Sequence, residues 1–166
     1  MKHLKLFLAG IISLIVLVQI SCSSSKTAVD EEKVAQVKEQ IESRNYRISV
    51  DYMFPTRGAS RSLTSIYSLT VRGDTLISYL PYFGIAYNIP YGGGNGLNFI
   101  APLFDYSLSF NSKGTASISF RARSEGDVFL YNIEIFNNRR ANIRVISNNR
   151  QGISFSGRLE EETPNR

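Results

Sequence analysis

The stretch FDYSLSFNSKGTASISFRARSEGDVFLYNIEIF, residues 104–136, decides the fold. It holds three runs in which apolar and polar side chains alternate. Phe104, Tyr106, Leu108 and Phe110 alternate with Asp105, Ser107 and Ser109, and Ala116, Ile118, Phe120 and Ala122 alternate with Ser117, Ser119 and Arg121. In the third run, Phe129, Tyr131, Ile133 and Ile135 share one face. A period of two is that of a strand with one buried face. Asn111 to Gly114 and Ser124 to Asp127 supply polar turns between the runs, so consecutive antiparallel strands are expected, with no parallel crossover.

The same rhythm continues on both sides. Downstream, Asn137 to Arg140 turns into Ala141–Ile146, and Ser147 to Arg150 turns into a last strand with Ile153, Phe155 and Leu159 aligned. Upstream, Tyr46, Ile48, Val50, Tyr52 and Phe54 point one way and Arg47, Ser49, Asp51 and Met53 the other, ending at Pro55. After a polar loop, Ile66–Arg72 carries Tyr67, Leu69 and Val71 on its apolar face, and Gly73-Asp74 makes a tight turn into Thr75–Leu80. The predicted fold is mainly β, of the α+β kind. It is a single antiparallel meander of about eight strands, strongly curled into a barrel or half-barrel, with a β-sandwich as the alternative.

One helical pattern precedes the strands. Thr27 with Asp30 fits a capping signal, and Val34, Val37 and Ile41 recur at helical spacing among charged residues. An amphipathic helix over residues 29–44 should dock by its narrow apolar edge. Before it, Lys2, His3 and Lys5 lead an apolar run from Leu6 to Ile20, followed by Ser21 and Cys22. This is the pattern of a secretory signal, too short for a stable span. Residues 1–21 therefore read as a signal peptide. Val18 to Cys22 resembles a bacterial lipoprotein signal, with Gln19 where an aliphatic residue is usual, and that likeness implies cleavage before Cys22 and acylation of its thiol. Residues 22–28 would be a flexible tether, 45–160 the β domain and 161–166 a frayed tail. Ser23 to Lys26 carries no acidic run, and we expect a periplasm-facing outer-membrane lipoprotein.

Removing the leader takes away the only histidine, His3, and acylation consumes the only cysteine; tryptophan is absent. A domain without imidazole or thiol cannot build a Ser-His-Asp triad, a cysteine nucleophile, a disulfide or a zinc site of the usual kind. No metal and no cofactor are implied. Loss of Lys2 and Lys5 leaves 17 of the 19 basic residues against 14 acidic ones, a net charge of about +3. With the arginines dispersed, nucleic acid is not an expected partner.

The stretch from Asp74 to Phe110 concentrates prolines and glycines among aromatic rings. Tyr79, Tyr82, Phe83, Tyr87 and Tyr91, with Asn95 in the loop YGGGNG, are the candidate ligand-binding residues. Such rings can stack on sugars or line a groove for an apolar ligand, or they can plug the end of a barrel. The plug is the reading we favour. The glycines lack the Gly-Lys-Ser/Thr ending of a phosphate loop and open a strand rather than a helix. Within the sheet region the acids are Asp51, Asp74, Asp105, Glu125, Asp127 and Glu134. None is signalled as a catalytic pair, and those in apparent turns, Asp74, Glu125 and Asp127, read as turn formers.

The lipoprotein signal, the short helix, TVRGDTLISYLPYFGIAY (70–87), FDYSLSF (104–110) and IRVISNNRQGISFSGRL (143–159) together resemble a Bacteroidetes family of uncharacterised lipoproteins classed as a domain of unknown function. The likeness covers Val34 to Leu159 and is most specific at SYLPYFG, residues 78–84. It implies a cell-envelope lipoprotein and carries over no catalytic residue. The expected function is non-catalytic: a membrane-anchored binding or structural module for an envelope protein, glycan or lipid, held to the bilayer through Cys22. A carrier for lipid or apolar molecules and a glycan-acting enzyme using a carboxylate pair are the alternatives. A hollow interior would favour the carrier, and two facing acids the enzyme.

Overall fold

A computed structural model describes residues 24–87 and 96–161, with residues 24–31 by backbone alone. Cys22, Tyr91, the glycines Gly92 to Gly94 and Asn95 lie outside the described residues, so the expectations placed on them are not addressed by the geometry. The chain divides into two compact units, Met1–Ala35 and Gln36–Arg166. The first contributes the start of a helix, and the second the end of that helix and all the strands.

Helix α1 (Ser24–Glu42) begins earlier than residue 29. No glycine or proline breaks SSKTAV, so the helix propagates through Thr27, which lies inside it rather than capping it. It ends where Arg44 adopts φ 52°, the left-handed conformation common at helix C-termini, and Ser43 Oγ donates to Gln40 O at 2.8 Å. Val37 and Ile41 are buried in the core of the second unit, and they form the expected docking edge.

Eight strands follow: β1 (Asn45–Pro55), β2 (Arg61–Arg72), β3 (Thr75–Leu80), β4 (Leu97–Phe110), β5 (Ala116–Ser124), β6 (Asp127–Ile135), β7 (Arg140–Ser147) and β8 (Ile153–Leu159). Each pairs antiparallel with the next, and β8 returns to β1 from Ile48↔Leu159 to Pro55↔Ile153, closing an up-and-down barrel. Closure removes the sheet edges that a half-barrel or sandwich would leave. The turns follow the local chemistry. Glu125 and Gly126 both take positive φ, as a two-residue hairpin turn requires, and Asn111 Oδ1 accepts from the backbone N–H groups of Lys113 and Thr115.

The inward faces of the strands are mostly apolar and buried, with Ser78 of β3 among the buried polar residues. Aromatic rings stack through the centre, Phe120 on Tyr131 at 5.1 Å and Phe99 on Phe129 at 5.2 Å. Tyr131 donates to Ser78 Oγ at 3.2 Å, and Ser78 donates in turn to Leu97 O at 2.6 Å, so these two buried hydroxyls are satisfied. The interior is a packed core.

Two bulges correct the expected faces. In β1 the register shifts between Val50 and Tyr52, and in β4 between Phe104 and Ser107, where Asp105 has φ 55°. One extra residue inverts the alternation beyond it. Met53, expected outside, is therefore buried, while Tyr52 and Phe54, expected inside, are exposed. Phe104 likewise faces out although Tyr106, Leu108 and Phe110 pack on the core.

Candidate functional site

The barrel has two differently closed ends. At one, α1 is fastened to the last strand: Gln40 Nε2 donates to Glu160 O at 2.9 Å, and Arg139 Nη1 donates to Gln40 Oε1 and Glu160 O. Arg139 thereby ties the end of the C-terminal strand to the helix.

At the opposite end lies the segment that the sequence marked. Residues 81–87 run beside residues 149–151 as a short strap, with Tyr87 N–H donating to Asn149 O, Gln151 N–H donating to Ile85 O, and an antiparallel bridge between Ala86 and Arg150. The Tyr82 hydroxyl lies 3.1 Å from both Ile85 O and Gln151 O. Burial pushes its pKa up, against a smaller downward pull from Arg150. The Arg150 guanidinium sits between the Tyr82 and Phe129 rings, 5.3 Å from each. It donates to Gly96 O at 3.2 Å and lies 3.5 Å from Asp127 Oδ2. Ser147 Oγ also donates to that carboxylate. Asp127, read from sequence as a turn former, is thus 4% exposed and half of a buried ion pair. Asp127 and Arg150 read from sequence as members of two separate turns, and only the fold puts them together.

The other candidate aromatics do not converge. Tyr79 is 45% exposed beside Tyr67, Phe83 is 42% exposed beneath the Arg61 guanidinium, and Tyr87 is 65% exposed. Of the described candidates only Tyr82 packs on the core. Asp74 pairs with Arg44 and Asp105 with Arg121, each at 3.1 Å, and Glu125 occupies a hairpin turn.

A groove of about 650 Å³ lies instead on the outer wall over β4 to β8 and the end of β1. Strand register builds its floor. One transverse row runs Ser107, Ser119, Asn132, Arg144, Ser154, Phe54, and the next runs Ser109, Ser117, Glu134, Asn142 and continues past the groove's lining to Ser156 and Tyr52. Each neighbour in a row is a directly paired residue on the adjacent strand, so its side chain stands within reach of the next. Small hydroxyls keep the floor low. At one end the Tyr52 and Phe54 rings, 5.4 Å apart, stand into solvent because the β1 bulge has turned them out. Arg144 and Glu134 are the charged residues that line the groove. Hydroxyls, carboxamides and an aromatic pair can accept and donate hydrogen bonds and offer ring faces. Sequence reasoning passed over these serines and asparagines as the solvated faces of strands.

Residues 28–159 match the family described as Domain of unknown function (DUF4251). The chain belongs to the DUF4251 family. A crystal structure of a DUF4251 family protein from Bacteroides eggerthii DSM 20697, determined at 1.95 Å resolution, is similar with a TM-score of 0.59 and 17% sequence identity; the likeness covers 80% of this chain and 89% of that one. At that identity the likeness speaks for the fold, and it bears out the barrel. No curated protein matches this chain. The DUF4251 domain carries no assigned activity, and the resemblance read from SYLPYFG and its neighbours is the one that the family match bears out.

Proposed function

We propose that this DUF4251 protein is a non-catalytic binding module of the cell envelope, held to the periplasmic face of the outer membrane by acylated Cys22, that presents its outer wall to a partner. One observation carries the reading: the barrel interior is packed, while the wall of β4 to β8 offers an open groove that mixes hydroxyl, carboxamide and apolar groups. A packed interior leaves the carrier reading without a chamber. Several acyl chains, at about 0.8 kcal/mol per buried methylene, would supply membrane retention, so the domain needs no membrane-facing surface of its own.

The test uses the full chain expressed in cells that process lipoproteins, with a photoreactive benzoylphenylalanine in place of Asn142 and a labelled fatty acid in the medium. The label should enter the chain and disappear in Cys22→Ser, and irradiation should give an adduct at residue 142 that a probe at exposed Arg123 does not give. An unlabelled chain would contradict the anchor. Absence of any adduct in the groove would contradict the binding role.

A further inference from the structure

We infer that the outer groove binds a neutral oligosaccharide chain laid across the strands, with Tyr52 and Phe54 as its stacking platform. The inference deepens the binding-module reading and rests on it. Three features of the groove point to this class of ligand. The first is functional-group chemistry: ten of the twelve residues in the two rows are Ser, Asn, Arg or Glu placed side by side on five consecutive strands, and the hydroxyls of a sugar can find both donors and acceptors there. The remaining surface of the rows is aromatic.

The second is charge. The guanidinium of Arg144 and the carboxylate of Glu134 stand on adjacent strands in adjacent rows, so the two charges that line the groove sum to zero. Asp51 adds an acceptor at the aromatic end, 3.5 Å from Ser156 Oγ.

The third is spacing. Neighbouring strands lie about 4.8 Å apart, so a row of six spans about 24 Å and repeats its polar groups on the scale of one sugar unit. Tyr52 and Phe54 are 38% and 43% exposed and their rings lie 5.4 Å apart, so together they offer a flat apolar surface at the end of the rows. The apolar face of a pyranose is of that kind, and rings at the end of a hydroxyl-lined channel would fix one terminal or internal sugar while the serines and asparagines read its hydroxyls. Small side chains contribute little alone, and affinity should come from the platform with the row acting as a selector.

Isothermal titration calorimetry of the full chain in detergent micelles tests the inference, with cellohexaose, xylohexaose and chitohexaose as neutral probes and hexagalacturonate as the anionic one. At least one neutral probe should bind saturably. Phe54→Ala should weaken it tenfold or more and Asn142→Ala several-fold, while Tyr87→Ala at the barrel end leaves it unchanged and circular dichroism shows each variant folded. Hexagalacturonate as the sole binder, or neutral binding untouched by Phe54→Ala, overturns the inference. Should every probe fail while the residue-142 photoprobe still captures a protein lacking glycan, the saccharide is overturned and the binding module stands; failure of both sinks the two together.

Discussion

Gly157 on β8 faces the main chain of Ser49 on β1 so closely that a Cβ at position 157 would collide with the Ser49 carbonyl oxygen. These are the first and last strands of the barrel, and the missing side chain lets their backbones meet. The seam depends on it.

Gly157→Ala should therefore destabilise the protein by about 2 to 4 kcal/mol, the scale of a backbone shift forced on a packed core. At Gly152 a Cβ would meet its nearest atom at 3.4 Å, an ordinary contact. Gly152→Ala should stay within about 1 kcal/mol of the parent. Urea unfolding of the two variants side by side checks the contrast.

The Asp127–Arg150 pair is buried on both sides, and removing one partner strands the other charge. Asp127→Ala should cost about 3 to 5 kcal/mol, whereas the double change Asp127→Leu with Arg150→Met should recover much of the loss. The double-mutant cycle in denaturant measures this coupling. Additive losses would show that the two side chains act separately.

Much of the barrel could be read directly from the chain. Residues 104–136 show three strands and two turns because each apolar face is continuous and each turn carries Asn or Gly, chemistry that acts within a few residues. The faces of Tyr52, Met53, Phe54 and Phe104 could not be read this way: a bulge at Asp51 or Asp105 is selected by what the neighbouring strand requires, and nothing local to either aspartate announces it. The groove was hidden for a related reason. Ser119, Asn132 and Arg144 are far apart in sequence and unremarkable singly, and only the register of closed strands makes them a row. The aromatic segment was legible as a place, and its role as a strap became visible once Arg150 and Gln151 were beside it.

Burial raises the phenol pKa of Tyr46, Tyr82, Tyr106 and Tyr131, burial being the largest cause in each. A phenol ionises less readily in the folded state than in the unfolded one, so its contribution is complete below the unfolded pKa near 10 and is lost as pH climbs above it. Stability should be flat from neutral pH to about 9 and fall steeply beyond 10. Tyr131→Phe should lose about 1 kcal/mol at neutral pH, with its hydrogen bond to Ser78, and show a shallower alkaline decline. Phenolate absorbance followed together with circular dichroism checks both.

Tyr82 and Phe83 are adjacent but differently employed. Tyr82→Ala should cost about 2 kcal/mol, below the roughly 3 to 5 of a fully buried ring because its ring is partly exposed. Phe83→Ala, which removes a ring stacked under Arg61 in solvent, should cost about 1 kcal/mol or less. Equal losses would mean that the strap is held by both.

Recognition on the outer wall, and not at the strapped end, is what the groove and the proposed ligand require. Backbone amide shifts of the isotope-labelled full chain in micelles, recorded as the tightest of the three neutral hexasaccharides is added, test it most directly. Changes should concentrate at Phe54, Ser119, Asn132, Asn142 and Arg144; changes concentrated at Tyr82, Ile85 and Tyr87, with the outer wall silent, would place recognition at the strapped end instead.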